Sequence, residues 1–178
     1  MLPPIPSWDG LHPLVVHFPI ALLLVVPVFL VGGLVIKKFR AGATMAALVL
    51  MLLGTAAAFL SVATGEAAGV LAERNVAVNE ALEEHEELAE DSQWVFAGLT
   101  AAFAVIVLGP RFLSRPVPPP VLVGGHVVFL AVYLGGSALL ANTAHAGGRL
   151  VHEFGVHAIV ADSPQAAAPR HDDHREHD

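Results

Sequence analysis

The sequence predicts an all-α membrane protein: four transmembrane helices in an up-down-up-down bundle, with both termini extracytoplasmic. Of the 178 residues, 55% are hydrophobic and only 14% charged, far from the balance of a soluble domain. Four apolar stretches, 14–36, 43–64, 92–109 and 121–142, approach the length of a bilayer crossing, which takes roughly 20 residues for a core of about 30 Å. The charges also segregate. Lys37, Lys38 and Arg40 lie between spans one and two, Arg111 and Arg115 between spans three and four, and all 16 Asp and Glu lie elsewhere. Short basic loops stay in the cytoplasm, which places the N-terminus, the 65–91 segment and the C-terminus outside. Residues 1–160 are read as the four-helix domain and 161–178 as a disordered His/Asp-rich tail.

The first span opens LHPLVVHFPIALL. Pro13 suits a first helical turn, where its missing N–H costs nothing, so His12 is expected as a cap residue at the rim. His17 follows about 7.5 Å deeper at 1.5 Å per residue, on a different face of a straight helix. Pro19 takes the amide donor away from the Val15 carbonyl and permits a kink. The preceding MLPPIPSWDG has no positive n-region, so the span is expected to stay in the mature chain.

Span two places Gly54, Ala58, Ser61 and Gly65 on one seam, which allows close helix approach. Glu66 follows at a height where a carboxylate can orient a histidine ring. Residues 79–91, NEALEEHEELAED, favour a helix with Asn79 as its N-cap, running from about 80 to 109 and entering the membrane near Trp94. HEELA does not complete HExxH, because position 89 is alanine. After span four, Gly147-Gly148 predicts a break behind His145 and a short segment lying over the outer end. The tail DSPQAAAPRHDDHREHD cannot support a packed core. Its His171, His174 and His177, with interleaved Asp, can capture Zn²⁺, Ni²⁺ or Cu²⁺ weakly.

Under this topology only His126 of the ten histidines lies toward the cytoplasmic side. His12 and His17 head the first span, His85 precedes the third and His145 follows the fourth. In an up-down-up-down bundle those ends converge. Ionisable residues at membrane helices are costly to keep and therefore functional candidates. Cysteine is absent, which excludes c-type haem attachment and cysteine-ligated clusters within the chain. No serine elbow, P-loop or dinucleotide fingerprint appears. A net charge of −7 argues against nucleic-acid binding.

HPLVVHFPIALL in the first span, Thr64-Gly65 closing the second, a histidine before the third and HAGGRLVHEFGV after the fourth resemble a family of bacterial membrane proteins. That family is catalogued as domain of unknown function 2231, and the resemblance covers residues 11–157. It departs at His152, where the family pattern has tyrosine. The resemblance implies a bacterial inner (plasma) membrane location and a redox role beside electron-transfer domains. It carries over His12, His17, His85 and His145. The expected function is a redox subunit holding a b-type haem near the outer face, with His17 and His85 as first pair and His12 and His145 at the rim. Its expected partners are the lipid bilayer and electron-transfer proteins on that face. The alternatives are a copper or zinc site using His17, His85 and Glu66, with the tail histidines, and a structural or assembly subunit.

Overall fold

The computed structural model describes residues 7–70, 72, 75–113 and 117–156, and every regular element among them is helical. The first crossing comes in two pieces, α1 (His12–Val15) and α2 (His17–Val35), separated by one turn residue, Val16. Pro13 stands in the first turn of α1, as its fixed φ favours. Pro19 cannot donate to the Val15 carbonyl, and the helix breaks at that place. Further in, Pro27 leaves the Leu23 carbonyl without its helical donor, and the Tyr133 hydroxyl donates to it at 3.0 Å.

A short 3-10 turn, Lys37–Phe39, leads to α3 (Arg40–Gly69). Arg40 Nε donates to the Gly33 carbonyl at 3.1 Å and so satisfies the last turn of α2. The next helix, α4 (Val76–Leu108), starts four residues before the expected place. Its cap is Asn75, not Asn79: Asn75 is extended and its Oδ1 accepts from Val78 N at 2.9 Å. Asn79 already sits in the first turn, with its N–H bonded to the Asn75 carbonyl. At 1.5 Å per residue α4 spans about 50 Å, well beyond a hydrocarbon core of about 30 Å, so its acidic first turns extend past the bilayer.

The last helix, α5 (Pro119–His152), begins behind Pro118 and runs through Gly147-Gly148 without a break. The expectation of a turn there fails because Gly147 serves close packing, as shown below. The chain turns instead at Gly155, the only described residue with positive φ (66°). Val156 N then donates to the Leu150 carbonyl at 2.9 Å. Phe154 and Val156 pack on Ala81, Leu82 and Leu150. Residues 157–178, with the expected tail and its His171, His174 and His177, lie outside the described residues.

The four crossings form a ring in which α2 touches α3, α3 touches α4, α4 touches α5 and α5 touches α2. Consecutive helices run antiparallel, since His12 at the start of the first crossing meets Ser61 near the end of α3. The interior is filled by Leu23, Val26, Leu30, Met51, Phe96, Phe103, Phe129 and Tyr133. Phe103 stacks on Phe129 at 4.7 Å, and Phe96 meets Tyr133 edge-on at 5.5 Å. Apolar residues also cover the outside, with Val28, Val105 and Val128 all exposed. A bundle apolar on both sides suits lipid, and four of its helical segments are long and apolar enough to cross. Lys37, Lys38, Arg40 and Arg111 lie at one end, and His12 and His85 near the other.

Candidate functional site

At the histidine end the ring of helices opens into a cavity of about 450 Å³, within the range of small-molecule sites. Two imidazoles line it from diagonally opposite crossings. His12 Nδ1–H donates to the Ser61 carbonyl of α3 at 2.9 Å, with Thr64 Oγ1 as a second acceptor at 3.3 Å. His85 on α4 donates its Nδ1–H to the Thr143 carbonyl of α5 at 3.2 Å. A backbone carbonyl only accepts, so each bond assigns the proton to Nδ1 and leaves Nε2 with its lone pair. Neither Nε2 makes a hydrogen bond among the described residues.

Each ring also lies against a glycine. A Cβ on Gly65 would come within 3.0 Å of His12 Cε1, and a Cβ on Gly147 within 2.9 Å of His85 Cε1. Those distances are below ordinary packing contact, so any larger residue there pushes the ring away. Tethered at Nδ1 and laid on a bare stretch of helix, each imidazole loses the freedom to swing. Such outer hydrogen bonding is how metal-ligating histidines are commonly oriented.

Of the other expected site residues, His17 and Glu66 stand at the rim of the cavity and His145 lies outside it. His17 lies at the cavity rim but is exposed, and its Nδ1–H donates to the Pro13 carbonyl of its own chain segment at 2.8 Å. The break at Val16 leaves His17 and His12 with different backbone partners, so they do not act as a pair. His145 is exposed on α5 and does not line the cavity. Glu66 is exposed at the rim. Among the described residues no three His, Asp or Glu side chains stand together as a metal-binding group, and the tail histidines of the copper or zinc alternative lie outside those residues. His126 bonds the Leu122 carbonyl of its own helix at 2.8 Å through Nδ1 and meets Phe103 edge-on.

Sequence reasoning passed over Thr143 and Ser92. Thr143 Oγ1 donates into the carbonyls of Leu88 and Leu139, both at 3.0 Å, while Ser92 Oγ bonds it at 2.8 Å. These hydroxyls lock α4 to α5 directly behind His85. Their signal in the sequence is a small polar residue inside an apolar helix, which hydrocarbon makes costly unless it is bonded.

Fold and site together define a helical membrane protein with a cavity at one end of its bundle, lined by His12 and His85 among others. Residues 9–159 match the model of the family described as "Predicted membrane protein (DUF2231)", and the chain belongs to that family. No curated protein and no solved structure matches it.

Proposed function

We propose that this protein is a membrane redox subunit that holds one b-type haem in the cavity, with His12 and His85 as axial ligands. The observation that carries the reading is the pair of imidazoles facing one cavity, each with Nδ1 tied to a helix carbonyl and Nε2 uncommitted. Haem takes two nitrogen ligands from opposite sides within an apolar slot, and diagonal helices of a bundle supply that arrangement. When bound, such a haem supplies one-electron chemistry. The chain's own contribution is to fix the ring planes through Ser61 and Thr143 and to strengthen each Nε2 as a donor.

Among the described residues the cavity lining contains Glu66, Glu86 and Glu90 and neither Lys nor Arg. A second bis-histidine haem at the basic end would lack its second imidazole, because His126 is the one histidine of the sequence that lies toward that end. The positive-inside rule, applied to the two basic loops, supports a cavity on the extracytoplasmic face of a bacterial inner membrane, within reach of electron-transfer proteins.

The test is a reduced-minus-oxidised spectrum of the detergent-purified chain from haem-sufficient cells. A sharp α band with a shifted Soret band, at one haem per chain, is the expected result. A chain that carries no haem and takes up none would overturn the reading. Alkaline phosphatase fused at residue 160 should be active and at residue 115 inactive; the reverse would move the site to the cytoplasmic side.

A further inference from the structure

Two halves of the chain repeat one another. The register shift that carries His12 onto His85 also carries Pro19, Leu23, Val26 and Leu30 onto Ser92, Phe96, Leu99 and Phe103, and all of these are buried except the two histidines, which are partly so. On the returning helices, the shift that carries Gly65 onto Gly147 carries Ala47, Met51, Gly54, Ala58 and Ser61 onto Phe129, Tyr133, Gly136, Leu140 and Thr143, again all buried. The repeat is visible in the letters once aligned, LGTAAAFLSVATG at 53–65 beside GGSALLANTAHAG at 135–147.

The contacts repeat as well. Gly54 lies against Leu22 and Leu23 as Gly136 lies against their counterparts Val95 and Phe96, and Gly65 lies against His12 as Gly147 lies against His85. Ser61 and Thr143 each give a carbonyl to a histidine. The matched residues Leu23 and Phe96 each accept a hydroxyl from the other half, from Tyr133 and from Thr55. The ring of contacts has the same symmetry, since exchanging α2 with α4 and α3 with α5 maps it onto itself. The two halves are therefore related by a pseudo-two-fold axis along the bundle, a parallel repeat in the manner of some transporters.

We infer that Gly65 and Gly147 are matched positioning residues, one per repeat, and that the cavity on the pseudo-two-fold axis takes a ligand with two equivalent opposed faces: a planar metal macrocycle, not a bare tetrahedral ion. The ligand class rests on the haem reading above; the positioning role does not. A two-fold site offers identical donors from opposite directions, which suits the two axial positions of a flat macrocycle. A tetrahedral ion wants four donors, and among the described residues no three His, Asp or Glu side chains stand together.

The experiment compares Gly65→Ala, Gly147→Ala and Gly135→Ala in the full chain in detergent. Gly135 has nothing within 4 Å of an added Cβ, lies outside the cavity lining and serves as control. Imidazole nitrogen NMR of the haem-free protein should show both His12 and His85 protonated at Nδ1. Gly65→Ala should shift only the His12 signals and Gly147→Ala only those of His85, so the unshifted ring reports that the fold is intact. With haem added, each of the two variants should bind at least tenfold more weakly and by similar factors, with low-spin absorbance lost; Gly135→Ala should match wild type. Unchanged imidazole signals in both variants, or equal damage from Gly135→Ala, would overturn the positioning role. Wild-type protein that refuses haem yet binds Zn²⁺ or Cu²⁺ stoichiometrically would overturn the ligand class while leaving the positioning result standing.

Discussion

Ser61 and Thr143 hold matching places in the two hairpins, and each gives its carbonyl to a histidine, yet their hydroxyls differ. Thr143 Oγ1 is bonded to Ser92 Oγ and to the carbonyls of Leu88 and Leu139. Ser61 Oγ is buried with no partner among the described residues. The counterpart of Ser92 is Pro19, which has no hydroxyl to offer. The second hairpin is thus clamped across its helices by side-chain hydrogen bonds. The first relies on Thr64, whose hydroxyl bonds the Leu60 and Ser61 carbonyls of its own helix. A proline gave the first crossing its break and removed the matching clamp. Repeated geometry does not require repeated chemistry.

The sharpest test of the equivalence is removal of each ring. His12→Ala and His85→Ala should each abolish the haem spectrum completely, while His126→Ala and His17→Ala leave it intact. Survival of the spectrum in only one of the first two variants would break the symmetry, and its loss on removing His17 would replace His12 as ligand.

Next come the hydroxyls, read from unfolding in mixed micelles. Thr143→Val keeps the shape but strips the clamp and leaves the Ser92 hydroxyl buried without its partner, at an expected cost of about 1–2 kcal/mol. Ser61→Ala removes an atom that bonds nothing and should change stability by less than about 0.5 kcal/mol. Equal costs would mean that the two hairpins are braced alike.

Tyr133→Phe exposes the carbonyl that Pro27 leaves free, for an expected loss of about 1 kcal/mol. Restoring an amide donor with Pro27→Ala should recover most of it in the double variant, because the Leu23 carbonyl then bonds within α2. Simple additivity of the two changes would show that Tyr133 acts through packing instead.

The smallest effect is expected at the surface. Arg149 pairs with Glu84 at 3.2 Å and Glu153 at 3.1 Å, all three solvent-exposed on their charged ends. Water and salt screen such pairs, so Arg149→Gln should leave stability and the spectrum unchanged. A marked loss would make this α4–α5 contact part of the clamp.

Much of this protein is determined by local sequence. Span number, helical class and the separation of basic from acidic segments follow from composition and length, because a bilayer admits few solutions and each residue contributes nearly independently. The gathering of His12 and His85 at one end also follows, once four antiparallel helices are accepted. What the sequence did not disclose depends on neighbours distant along the chain. Gly147-Gly148 reads locally as a helix break, and only the ring of His85 lying on Gly147 explains the pair's place inside a helix. His17 reads as the deeper and better ligand, and only the break at Val16 and its bond to Pro13 O turn it toward the rim. Local spacing encodes which residues share a turn; the rotation of one helix against another, set by side chains packing across the bundle, decides which of them face the cavity.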